Sequence, residues 1–219
     1  MPAKNRRKNY LENGYYHLYN RGVEKRKIFL DKQDYAVFLS YLKEYLLPKN
    51  EKELHKKLDN PKLSYKEREK VLKALQLNNF SNEIKLLCYC LMPNHFHLFV
   101  KQKNSESIDR FMNSLSTRYS MYFNRKYKRV GALCQGVYKA VLIEDDNQFI
   151  YLSKYIHKQA IRIDTPSSYL EYLGVRKTEW LKHEEITSNF SNNFPGLAYE
   201  NFVNQLNELG KIDNLVLEG

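Results

Sequence analysis

Apolar residues along the chain follow two rhythms. Between 84 and 102 they crowd into two short runs, "IKLLCYCLM" (84–92) and "HFHLFVKQ" (95–102), split by Pro93-Asn94. That dipeptide favours a turn, so the pair predicts a β-hairpin. "YYHLYNRG" (15–22) and "VYKAVLI" (137–143) predict two more strands. Elsewhere the apolar positions recur at helical spacing. Phe38, Tyr41, Leu42, Tyr45 and Leu46 form one stripe, with Asp31 placed to cap its start. A longer stripe runs from about Ser107 to Tyr127 through Ile108, Phe111, Met112, Leu115, Tyr119, Tyr122 and Phe123, and Gly131 breaks it. Asp145 or Asp146 opens a last helix over "NQFIYLSKYIHKQAIR". Residues 49–80 change character: lysines and glutamates are dense, and Ser64 with Glu67 makes a capping box. They predict an inserted helical excursion, charged and peripheral.

The element order is therefore β-α-(insert)-β-β-α-β-α. It predicts an α+β fold of the ferredoxin-like, RRM-like kind: an antiparallel sheet with helices on one face, plus an added C-terminal helix and helical extensions. No internal repeat is visible. The chain divides into a basic N-terminal arm (1–14), a central domain (15–162) and an extension (163–219) that turns acidic from about 179. In that extension Phe202, Val203, Leu206 and Leu209 can pack.

Composition narrows the function. With 219 residues and 42% apolar content the chain can bury a full core. No apolar run approaches the roughly 18 residues of a membrane span, and the basic start "MPAKNRRKNY" is not followed by a signal-type segment. Cys88, Cys90 and Cys134 are too few for a disulfide framework, so a reducing cytoplasm is expected. The formal net charge is +11. From Arg110 to Ile143 the chain holds seven basic residues and no acid, interleaved with Tyr119, Tyr122, Phe123, Tyr127 and Tyr138. Charge for phosphates with rings for stacking suits nucleic acid, above all single strands. The expected contacts are Arg21, Arg118, Tyr119, Arg125, Lys126, Lys128, Arg129, Lys139, Lys154 and Lys158.

In "CLMPNHFHLFV" (90–100), His95 and His97 share one strand face while Phe96, Leu98 and Val100 turn the other way. Two such imidazoles are either sheet residues or two legs of a metal site, which needs a third ligand. The last helix offers one. Tyr155 and Gln159, at i and i+4, lie on one helix face. If that helix crosses the histidine face, the Gln159 amide oxygen completes a three-ligand site and the Tyr155 hydroxyl hangs one turn away as a candidate nucleophile. His17 either backs this site or sits in the sheet. His157 points opposite to the Tyr155/Gln159 face and is expected to be exposed. His55 and His183 lie in charged peripheral segments, Cys134 has no partner for thiol chemistry, and no glycine-rich phosphate loop suggests ATP.

"CLMPNHFHLFV" followed some sixty residues later by "YIHKQAIR" resembles the HUH single-strand endonucleases with one catalytic tyrosine. More narrowly, the chain resembles the REP-associated tyrosine transposases, a branch of the insertion-sequence Y1 family. The likeness runs from about Tyr15 to Leu181 and includes "YHLYNRGVEKRKIFLDKQDYAVFL", "RYSMYFNRKYKRVGALCQG" and "PSSYLEYLGVRKTEWL". It implies that 15–162 is an HUH catalytic domain, that His95 and His97 bind Mg²⁺ or Mn²⁺ with help from position 159, and that Tyr155 attacks DNA. The expected activity is a metal-dependent single-stranded DNA endonuclease and strand transferase with a 5′-phosphotyrosine intermediate, acting on hairpin DNA, as a monomer or homodimer. The alternative is a non-catalytic single-strand-binding module of the same fold. Two positions depart from the family: Gln159-Ala160 stands where many members have Asn-Pro, and Val137 stands where Arg often follows Gln-Gly. The 49–80 insert and the acidic tail fit the family pattern poorly.

Overall fold

Capping side chains set where the helices begin. In the computed structural model, which describes residues 10–190, 193 and 195–205, Asp31 and Asp34 close a reciprocal capping box at the start of α1 (Lys32–Leu46). Asn50 caps α2 (Glu51–Leu58), and Ser64 with Glu67 makes the second capping box, before α3 (Tyr65–Gln76). Asp145 accepts from the Gln148 N–H and opens α5 (Asp146–Ile163). The remaining helices are α4 (Ser107–Lys126), the single-turn α6 (Tyr169–Tyr172) and α7 (Glu184–Thr187), and α8 (Pro195–Asn204).

The strands are β1 (Tyr15–Arg21), β2 (Ile84–Met92), β3 (His95–Gln102) and β4 (Lys139–Leu142). They form one antiparallel sheet in the order β2-β3-β1-β4, which is the ferredoxin-like arrangement. Alternation along the strands feeds two cores. One face gives Leu18, Phe96, Leu98 and Val100 to a core with Phe38 and Leu42 of α1 and Phe111, Met112 and Leu115 of α4. The other face gives Cys88, Cys90 and Phe99 to a core with Leu152 and Ile156 of α5, and Tyr172, Tyr199 and Val203 from the C-terminal extension. The sheet is thus a middle layer, with α1 and α4 on one side and α5 on the other.

The two sheet edges differ. Along β2 the chain returns as a cover: Leu91 donates to the Pro166 carbonyl, Lys182 to that of Leu86, and Leu181 and Ser167 form bridges to β2. β4, at the other edge, is only four residues long. It is shorter than the expected 137–143 because Gly136 adopts φ of 123° and turns the chain. Tyr138, which follows, is buried and bonded to Tyr10 and Asp109. Helices α2 and α3 bury no residue and pack mainly on each other, as a charged excursion would. Residues 1–9 of the N-terminal arm, and Leu206 and Leu209 of the tail, lie outside the described residues.

Candidate active site

His95 and His97 project from β3 on the side covered by α5, with His95 opposite Arg21 of β1 and His97 opposite Tyr19. Helix α5 lays Leu152 and Ile156 into the second core. That anchoring turns the neighbouring stripe, Tyr155 and Gln159, toward the histidines. Gln159 Oε1 stands 3.1 Å from His95 Nε2. The Tyr155 ring lies edge-on to His97 with centroids 5.7 Å apart. His95 and Gln159 are half-buried at the mouth, while Tyr155 is 8% exposed and His97 0%.

Each imidazole is held from behind. His95 Nδ1 is 2.7 Å from Asn94 Oδ1, so Nδ1–H donates there and Nε2 keeps its lone pair toward Gln159. His97 Nδ1 is 2.8 Å from His17 Nε2, and His17 is itself fully buried. With the shared proton on His97 Nδ1, Nε2 of His97 keeps a lone pair; that atom is buried and has no hydrogen-bond partner. Burial pushes the His97 pKa well below its usual range, with further lowering from His17 and His95. Burial also lowers His95; the Gln159 contact opposes the shift and Arg21 adds to it. Both rings are therefore neutral at neutral pH, the form that ligates metal.

Among the described residues no three His, Cys, Asp or Glu side chains cluster as a metal site. The donor set here is two imidazoles and an amide. It still fits a cation. Nε2 of His95 faces another acceptor at 3.1 Å, and Nε2 of His97 is an orphan beside them. A cation satisfies all three, whereas a polar atom left without a partner in a buried site costs roughly 1–3 kcal/mol. The set carries no charge, so a bound divalent ion would keep its full attraction for a phosphodiester.

The expected DNA contacts separate in space. Arg21 and Lys139 flank the site and lie beside Tyr19 and Gln135. Arg125, Lys128 and Arg129 sit at the C-terminal end of α4 and form no ion pair among the described residues. The other five are engaged elsewhere in the fold. Arg118 is bonded to Glu44 at 2.7 Å and stacked on Tyr41. Lys126 is held by Asp31 and Asp34. Tyr119 is 3% exposed and donates to the Ile28 carbonyl, so its ring has no free face for a base. Lys154 is 2% exposed under Phe202 of α8, with its Nζ 4.8 Å from that ring. Lys158 also turns to α8, donating to the Gln205 carbonyl at 3.2 Å.

The expectation that His157 is exposed is overturned. It is 0% exposed, because residues 165–173 and α8 close over the side of α5 that faces away from the site. Nδ1–H donates to Tyr199 Oη at 2.7 Å, and Nε2 accepts from Ser168 Oγ at 2.8 Å with Cys88 Sγ at 3.2 Å. Burial lowers the His157 pKa from 6.5 to about 3 and pushes the Cys88 thiol far above its usual value, so neither is a reactive group at neutral pH. Asn94 went unread except as a turn residue; its position directly before His95 was the available signal. Tyr19, its ring tilted against those of His17 and His97, was likewise read only as a strand residue.

Residues 54–159 match the sequence profile of a family described as IS200-like transposases. The match ends on Gln159, takes in His95, His97 and Tyr155, and includes most of the 49–80 excursion. No curated protein matches the chain. Among solved structures, the chain is similar to a REP-associated tyrosine transposase bound to a REP hairpin, with 10% identity, a TM-score of 0.50, and coverage of 81% of this chain and 96% of that one. It also aligns with a transposase of Deinococcus radiodurans R1, at 15% identity and a TM-score of 0.39, over 71% of this chain and 97% of that one. The first comparison shows a shared fold.

Proposed function

We propose that the chain, whose residues 54–159 match the IS200-like transposase profile, is a single-stranded DNA endonuclease and strand transferase acting on hairpin-bearing DNA. The observation that carries this reading is the convergence of His95, His97 and Gln159 beside Tyr155, from two elements 64 residues apart. The solved REP-associated transposase of the same fold is bound to a hairpin, which supports the choice of substrate.

Tyr155 Oη attacks the scissile phosphorus, a Tyr155–O–P bond forms, and the bond from phosphorus to the 3′ oxygen breaks. The phenol proton passes to solvent, and the leaving oxygen takes up a proton as a 3′-OH. The 5′ phosphate stays on Tyr155 as a diester, so a second 3′-OH can reverse the step and join a new strand without ATP. His95, His97 and Gln159 would hold Mg²⁺ or Mn²⁺, which when bound supplies Lewis-acid polarisation of the phosphate. Asn94 and His17 orient the two imidazoles. The low exposure of Tyr155 limits competition from water. Arg21, beside His95, offers positive charge to the incoming strand.

The test is cleavage of an end-labelled hairpin with single-stranded flanks, in Mn²⁺ and in chelator, by the wild type, His95→Ala and His97→Ala. The reading expects cleavage by the wild type in Mn²⁺ only, with both variants inactive yet binding DNA within about threefold of the wild type. Cleavage that survives chelation, or either substitution, would overturn it.

A further inference from the structure

Resting on the strand-transferase reading, we infer that the single strand leaves the active site over the β4 edge and lies in the cleft between α4 and the 131–138 loop. There its unpaired bases meet neutral amides and hydroxyls. Both the shape and the charge of the molecule point this way.

The β2 side offers no exit, because the segment 166–182 is hydrogen-bonded along that edge. On the other side two cavities follow one another. The smaller, about 200 Å³, begins at the site: Arg21 lines it with Tyr19, Gln135 and Lys139, and Arg21 is the register partner of His95. The larger, about 580 Å³, continues from it, since Asn20 and Val137 line both. Its wall is α4, through Asn113, Ser116, Thr117 and Ser120. Its volume lies in the roughly 300–1,000 Å³ range of small-ligand sites, which suits unpaired bases rather than a double helix.

Charge selects the same route. The smaller cavity is lined by two cations and no acid, and the larger by no charged side chain at all. Cations stand at both ends. At the near end Arg21 has a buried Nε without a hydrogen-bond partner. At the far end Arg129 donates to Asn124, a lining residue, at 3.0 Å, with Arg125 and Lys128 close by in the chain. The other basic residues of α4 are neutralised from elsewhere: Arg110 by Glu83, Arg118 by Glu44, and Lys126 by Asp31 and Asp34. A third cavity, of about 400 Å³, is lined by Glu144, Asp145, Asp146 and Glu185 and would repel a phosphate backbone.

Within the cleft, Met121 is 64% exposed and Val137 68%. Apolar atoms open to solvent give base faces something to lie on, and amides and hydroxyls can pair with base edges that only an unpaired strand presents. Val137, shared by both cavities, is the point where the strand turns from one sheet face to the other, so its side chain helps set which base passes there.

The test places the same charge on either side of the sheet in the full-length chain. Thr117→Glu puts a carboxylate on the exposed, cleft-lining face of α4, where glutamate is a good helix former. Val175→Glu puts one at a site 71% exposed beyond the covered β2 edge. The expected result is binding of a flanked hairpin about tenfold weaker for Thr117→Glu and unchanged for Val175→Glu. Wild-type binding by Thr117→Glu, or an equal loss from Val175→Glu, would overturn the path. A photo-crosslinking residue at Met121 gives an independent reading: adducts on the single-stranded flank are expected, and adducts on the stem alone would overturn it. These measure binding, so they separate from the chemistry. A wild type that cuts, with Thr117→Glu binding as it does, removes the path and leaves the nuclease. A wild type that never cuts, with the expected binding pattern, does the reverse.

Discussion

Replacing His157 by glutamine should flatten the acid limb of the stability profile by one proton's worth. The imidazole is fully buried, and burial lowers its pKa from 6.5 to about 3. Between those values the unfolded chain binds a proton that the folded chain refuses. Stability from this group is therefore complete above about pH 6.5 and declines as the pH falls toward 3. Each pH unit in the window costs about 1.4 kcal/mol, hence about 3 kcal/mol over two units and about 5 kcal/mol over the whole of it. The contacts say where the strain falls. Nε2 accepts from Ser168 and Nδ1–H already donates to Tyr199, so a second ring proton would face the Ser168 hydroxyl hydrogen. Those contacts join α5, the carrier of Tyr155 and Gln159, to the C-terminal extension. The assay is denaturant unfolding of the wild type and His157→Gln from about pH 7 to about 4.5. The other histidines are common to both proteins and cancel in the difference. Parallel stability profiles would refute the argument, because they would show that His157 takes up its proton without penalty.

Asn94→Ala should weaken Mn²⁺ binding by about 10–100-fold without unfolding the chain, as loss of a group that orients a ligand does; calorimetric titration reads it, and unchanged affinity would count against the assigned His95 tautomer. Asp34→Ala should destabilise by roughly 3–5 kcal/mol, because the fully buried carboxylate accepts from Leu30 N–H, Tyr122, Tyr127 and Lys126; Lys126 and Tyr127 keep Asp31, but the Leu30 N–H and the Tyr122 hydroxyl lose their acceptor. That is a fall in Tm of about 6–20 °C for a chain of this size, and a shift under about 2 °C would refute it. Hairpins with single-stranded flanks should bind more tightly than blunt duplex of equal length, with affinity falling steeply with salt in a filter or anisotropy assay; equal affinities would contradict the single-strand assignment.

The strands and the site geometry were legible because they depend on short-range periodicity. A two-residue repeat put His95 and His97 on one face, and a four-residue repeat put Tyr155 and Gln159 on another. Capping boxes at Asp31/Asp34 and Ser64/Glu67 marked two helix starts, since a cap is written within four residues. Long-range pairing was not legible. The stretch from Arg110 to Ile143 is free of acid in sequence, yet Glu83, Glu44, Asp31 and Asp34 reach three of its cations from other elements. Lys154 and His157 looked like surface residues of an amphipathic helix whose far side was open, but the C-terminal extension folds back to cover that side. A helix turn reports which residues share a face, not what covers it. Tyr119 is the opposite case: its spacing put it on a core stripe, and it lies in the core.

The central claim is that the Tyr155 oxygen attacks the phosphate. It is tested most directly by incubating the wild type and Tyr155→Phe with a labelled flanked hairpin and Mn²⁺, separating the products on a denaturing gel, and mapping any protein–DNA adduct by peptide mass spectrometry. The wild type should give a covalent band whose DNA is attached at Tyr155. Tyr155→Phe should bind the hairpin, neither cut it nor form the band, and unfold within about 1 kcal/mol of the wild type, since only one hydroxyl is lost. A band that persists in Tyr155→Phe would contradict the assignment and make Tyr151, one turn earlier in α5, the next residue to replace, and cleavage by the wild type with no covalent band would point to water as the nucleophile.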